Sequence, residues 1–178
     1  MKTTEMRFWH YTSAFRLPQI LACGKIKLDE QARAFGERPA AWISTNPEWE
    51  YTVMKTGPDG SIMSKDELDH TLGLARIEIK PSRDFISWYK FRTTSGVNKK
   101  LWIEMTNLGR EKGANPEEWY ASYIPIISRY FLSVEMKIQG KWIKCNNWDK
   151  IEQFVTEGMK VNQEFLRAEK NDLLKRAA

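Results

Sequence analysis

The chain has 178 residues, 42% of them hydrophobic and 12% aromatic, with a formal net charge of +5. That length suits one domain with an appendage, and eight tryptophans with eight phenylalanines exclude a disordered polymer. Basic residues outnumber acidic ones by 28 to 23 but are interleaved with them, so the surplus mildly favours polyanions and identifies none.

Cys23 and Cys145 stand far apart with no CxxC partner, which reads as the reduced thiols of a cytoplasmic protein. Met1–Glu5 forms no apolar signal region, and no uninterrupted apolar run reaches transmembrane length, so no membrane partner is expected.

In chain order, Arg7–Ser13 reads as a strand carrying His10. A short amphipathic helix follows over Leu17–Ala22 and is closed by Cys23-Gly24, with Cys23 on its apolar side. Ala40–Thr45 is a second apolar strand. Asn46 as cap and Pro47 at the first helical position predict a short helix from Pro47 to Lys55. Gly57-Pro58-Asp59-Gly60 is a turn, and Ser61–Thr71 is an exposed loop or short helix capped by Ser64. Gly73–Lys80 alternates as a half-buried strand ended by Pro81, while Asp84–Phe91 fits either a strand or irregular aromatic packing.

The second half continues with a helix over Val97–Lys112, where Leu101, Trp102, Met105 and Leu108 share helical spacing. Asn115-Pro116 predicts another short helix that takes in Trp119-Tyr120. Tyr130–Ile138 and Lys141–Cys145 form a hairpin across Gln139-Gly140. Asn147–Ala178 is one long charged helix, with a docking stripe of Ile151, Phe154, Val155, Met159, Phe165 and Leu166. The pattern is α+β, divided into a domain over 1–146 and a helical extension over 147–178.

The chemistry-bearing residues gather near the start. Trp9-His10-Tyr11-Thr12-Ser13 on one strand and Trp42-Ile43-Ser44-Thr45 on the next place imidazole and hydroxyl groups at the mouth of a cleft. Together with the intervening Leu17-Pro18-Gln19-Ile20-Leu21-Ala22-Cys23-Gly24, this opening quarter resembles the ADP-ribosyltransferase-like superfamily. The resemblance implies a split β-sandwich of two small sheets with flanking helices, clasping NAD as a substrate. It casts His10 on the nicotinamide ribose, and Tyr11, Thr12, Ser44 and Thr45 around the same ligand. Glu135, on a late strand, is the only match to the family's catalytic glutamate, and Ser133 stands where that pattern often has a second acid or amide. The implied reaction is ADP-ribosylation of a protein or nucleic-acid acceptor, through an oxocarbenium-like state that a carboxylate stabilises.

Structural readings stand beside these. His10 among aromatics is also an ordinary core histidine, Ser44-Thr45-Asn46-Pro47 an ordinary helix start, and Glu135 the solvent-facing member of an alternating strand. Trp119 and Ser122 offer an aromatic wall with a hydroxyl for the ligand, or a helical core cluster. His70, between Asp69 and Thr71, reads as exposed and inert.

Two histidines and two scattered cysteines give no metal-ligand spacing, and no glycine-rich phosphate loop or nucleophile elbow is present. Two further functions remain open. One is a catalytically inactive binding or inhibitor protein on the same fold, such as a phage- or mobile-element-encoded interactor using the charged helix. The other is a basic nucleic-acid-binding protein, which requires a contiguous basic face with aromatics interleaved.

Overall fold

A computed structural model describes residues 6–53, 55, 57 and 60–177. Met1–Glu5, Pro58 and Asp59 of the expected turn, and Ala178 at the end of the last helix lie outside the described residues. The chain is α+β, with two antiparallel sheets of very unequal size. The strands of the larger are β1 (Phe8–Ser13), β3 (Ala41–Ser44), β4 (Leu74–Ile79), β5 (Ile86–Ser87), β6 (Trp119–Ser122), β8 (Phe131–Ile138) and β9 (Lys141–Lys144). Their order across the sheet is β5-β6-β3-β1-β4-β8-β9. The smaller sheet pairs β2 (Lys25–Ile26) with β7 (Ile126–Ile127).

Alternation along the strands sends successive side chains to opposite faces. One face is aliphatic. Ile43, Ile77, Val134 and Met136 lie there in register with Phe8 and His10, under α1 (Leu17–Ala22), the small sheet and the first turns of α5 (Ile151–Ala177). Leu17, Ile26, Ile126, Ile151 and Val155 close that layer.

The other face is indole-rich and divides into two clusters. Trp88, Phe91, Trp102 and Trp119 fill the first, beneath α3 (Trp88–Thr94) and α4 (Lys99–Glu111). Trp9, Tyr11, Trp49 and Leu68 fill the second, beneath the 45–64 loop and α2 (Lys65–Thr71). Rings of Trp88 and Trp102 stack at 5.6 Å and those of Trp49 and Trp142 at 6.5 Å, so flat rigid surfaces wall this side of the sheet.

Local sequence chemistry explains most boundaries. Ser64 and Glu67 form a reciprocal capping box at the start of α2, whose last turn carries the exposed His70. Asn98 caps α4 through Lys100 N at 2.8 Å, directly after Gly96 at φ +84°. The ambiguous 84–91 segment resolves into the short β5 followed by α3.

Four expectations need correction. The helix expected over Pro47–Lys55 does not form. Asn46 Oδ1 instead accepts from Glu48 N and Trp49 N, an Asx turn, and Trp49 is drawn into contact with Tyr11. The helix expected after Asn115 is only a 3₁₀ turn over Pro116–Glu118. Trp119–Ser122 then pairs as β6, an inner strand flanked by β3 and β5, which buries Trp119 and Ala121 on one face. On α5 the buried stripe uses Gly158 and Asn162, while Phe165 is exposed. Cys23 is exposed too, since the helix it closes turns its other side to the core; both cysteines are free.

The β8–β9 connection is a two-residue turn with positive φ at both Gln139 (+49°) and Gly140 (+77°), the hand that matches sheet twist. Asn162 of α5 fastens it. Its Oδ1 accepts from Gln139 N at 2.8 Å, and its Nδ2 donates to Lys137 O at 2.9 Å. Asn162→Ala leaves both backbone groups half-buried without their partner. We expect urea unfolding to report a loss of about 1–3 kcal/mol.

Among the described residues no helix is long and apolar enough to cross a membrane.

Candidate active site

Strands β1 and β4 pair along their whole length, six residues against six. On its other side β1 meets β3 through a single pair, Trp9 with Ser44. Beyond that pair the ladder stops, and the His10 side chain takes over: its Nδ1 lies 2.9 Å from Trp42 O. A carbonyl oxygen only accepts, so Nδ1 carries the proton and Nε2 is left as an acceptor. Burial is the main influence on this imidazole and lowers its pKa; the hydrogen bond to Trp42 O pulls the other way, and Lys55 adds a smaller lowering push. His10 is therefore neutral at physiological pH.

A cavity of about 620 Å³ follows this parting of the strands, within the size range of small-molecule sites. Trp9, His10, Tyr11, Trp42, Ser44 and Trp119 line its sheet side. The 29–37 loop, the 50–55 segment and α4 complete the wall. Gly109 of α4 has no side chain for a steric reason: a Cβ there would lie 2.2 Å from Trp119 Cη2. The glycine lets the helix rest on the indole.

One carboxylate is set deep in this wall. Glu50 is buried, and its oxygens accept from Ser44 Oγ at 2.9 Å, Thr52 Oγ1 at 2.9 Å and Thr52 N at 3.2 Å. No cation pairs with it among the described residues. Burial dominates and raises its pKa, against the smaller opposing pull of the Thr52, Ser44 and Trp119 donors. The indole N–H of Trp9, on a residue 3% exposed, has no acceptor at hydrogen-bond distance, whereas that of Trp119 is close enough to Glu50 to help stabilise its charge. A buried donor without an acceptor and a carboxylate without a cation thus sit in one wall.

No family model, curated protein or solved structure matches the chain.

Of the residues singled out in the sequence, His10, Tyr11, Ser44 and Trp119 line the cavity. Thr12, Thr45, Ser122 and Glu135 do not. Thr12 is buried on the aliphatic side of β1, Thr45 N donates to Glu118 O, and the Ser122 hydroxyl is spent on Ile124 O at 2.8 Å in the turn after β6.

Glu135 sits two strands away from β1, on the face opposite His10 by register. It is clamped there. Arg76 meets its Oε2 at 2.6–2.7 Å, and Ser133 donates to Oε1 at 3.0 Å. The Arg76 guanidinium lies over the rings of Trp142 at 4.3 Å and Trp9 at 5.4 Å, and it also donates to Pro47 O. The Glu135 network is a brace behind the loop that carries Glu50. Glu50 itself escaped sequence reasoning because the stretch 47–55 reads as a surface helix. The usable signal was Trp49, a large apolar residue beside two acids.

Two stability measurements separate these carboxylates. Glu135→Ala strands the Arg76 charge among indoles, and we expect a loss of about 3–5 kcal/mol by urea unfolding. Glu50 has a folded pKa above its ordinary value of 4.5. The stability this contributes is present below that value and is lost as pH rises through the folded pKa. Glu50→Gln abolishes the titration, so its melting temperature relative to the wild type should climb as pH rises above the ordinary carboxylate value of 4.5. A difference that stays constant with pH would contradict the burial of an ionising Glu50.

Proposed function

We propose that the cavity between β1 and β3 binds NAD and that the protein transfers ADP-ribose to a protein or nucleic-acid acceptor. The observation that carries this reading is a cavity at the parting of the sheet whose lining includes His10, Ser44 and the uncompensated Glu50 carboxylate. The orphaned indole donor of Trp9 supplies the test of fit, because the carboxamide and phosphate oxygens of NAD are acceptors. The glutamate in this reading is Glu50, with Glu135 serving as a brace.

When bound, NAD supplies an ADP-ribosyl group: its C1′–N bond breaks, the electron pair leaves with nicotinamide, and the acceptor's nucleophile bonds to C1′. The residues of the chain do the rest. His10 holds a ribose hydroxyl through Nε2, and its neutral state is what gives that nitrogen a free lone pair. Glu50 faces the positive charge that grows at the sugar, where a carboxylate in a desolvated wall acts more strongly than in water. Glu50 also takes the proton that the acceptor sheds. Ser44 and Thr52 fix the carboxylate's orientation, and the indole walls exclude water.

Scanning fluorimetry and nicotinamide release test this together. NAD should raise the melting temperature of the wild type, and His10→Ala should remove that shift. Glu50→Gln should keep the shift while nicotinamide release falls by about 10²–10⁴-fold. A flat melting curve at millimolar NAD overturns the reading. A shift without release in the wild type identifies an inactive NAD-binding protein on the same fold.

A further inference from the structure

The cavity has a second acidic end that the chemistry above does not use. The 29–37 loop is moored where β3 begins: Asp29 N donates to Ala40 O at 2.9 Å, and Arg38 N donates to Ser95 O at 2.6 Å. This loop holds Glu37 in the cavity wall with only 8% of its surface exposed. Among the described residues, no hydrogen bond or ion pair engages the Glu37 carboxylate. Burial, and the nearby charge of Asp29, raise its pKa. A buried acid with no partner is costly to keep unless something else meets it.

The same wall holds a cation. Lys55 lines the cavity and is half-buried, and among the described residues it has no salt bridge. Its charge is felt at His10, and it lies close enough to Arg16 and Asp29 to be influenced by both. From Ala40, at the Asp29 end, to Ser44, at the Glu50 end, is four strand steps, or about 13 Å. The lining therefore holds two carboxylates, one toward each end of that span, and an ammonium. That set of charges complements a molecule built from two diols and a pyrophosphate.

We propose that Glu37 accepts the hydroxyls of the adenosine ribose, that Lys55 pairs with the pyrophosphate, and that Glu37 makes the cleft select NAD over NADP. The proposal rests on the NAD reading of the cavity. A vicinal diol offers two donors to one carboxylate, whereas a 2′-phosphate sets a dianion against Glu37 and Asp29. Selection then arises from attraction to the diol and repulsion of the phosphate.

Calorimetric titration of the full chain with NAD and with NADP tests this without requiring turnover. The wild type should bind NAD at least about thirtyfold more tightly than NADP. In Glu37→Gln, NAD should weaken about tenfold and NADP should gain, bringing the two within about threefold. Lys55→Met should weaken both dinucleotides by the same factor and leave their ratio unchanged, a comparison that holds even if the Glu37 variant fails to fold. Equal wild-type affinities, an unchanged ratio in Glu37→Gln, or a Lys55→Met loss confined to one dinucleotide would overturn the assignment. If the wild type bound neither dinucleotide, the NAD reading would fall and this inference with it. Binding of NAD with an unmoved ratio would remove Glu37's role alone.

Discussion

The architecture turns on one interrupted strand pairing. β1 is fully zipped to β4 and pairs with β3 at a single residue pair, so the seven-stranded sheet divides into two blocks joined at Trp9 and Ser44. Every backbone group released by such a parting has to find another partner, or it carries the cost of an unmet hydrogen bond. The His10 ring meets part of that need by donating to Trp42 O. The same ring thereby becomes part of the cavity wall, with its proton fixed on one nitrogen and a lone pair on the other.

Charge is handled in two ways a few residues apart in space. Glu135 is neutralised by Arg76 and held by Ser133, and the Arg76 guanidinium lies over two indoles. Glu50 has hydroxyls and one backbone N–H, but no cation. Removing a charge from water costs several kcal/mol even after relaxation, and hydroxyl donors offset part of it at about 1.5–3 kcal/mol each. The first arrangement is a closed structural brace. The second leaves an acid poised to meet positive charge or a proton, which is the behaviour expected of a reactive group.

The two faces of the sheet divide the remaining work. Aliphatic packing under α1 and α5 supplies non-directional burial. The opposite face is built from indoles, which bury large area and keep a polar N–H for orientation. Arg76 joins this face to function: it lies over Trp9 and Trp142, pairs with Glu135 and holds the Pro47 carbonyl, so the Glu50 loop inherits its rigidity from the far half of the sheet.

Much of this was legible one residue at a time. Alternation fixed β4 and the β8–β9 hairpin, the Ser64 and Asn98 caps marked α2 and α4, and the α+β class followed. His10, Tyr11, Ser44 and Trp119 were readable as cavity residues because a short polar cluster on an apolar strand has few ordinary uses. The stretch 47–55 was not, since its cap and proline satisfy local helix rules, while Trp49 gains more by burial against Tyr11. Trp119–Ser122 failed for the same reason, as helical and sheet patterns coincide over four residues. The sequence by itself determined which segments are helices or strands and which of their faces are apolar, because those properties are periodic and local. Only the tertiary structure decided that Glu135 is paired while Glu50 and Glu37 are not, because the cost of a carboxylate depends on which distant residues surround it.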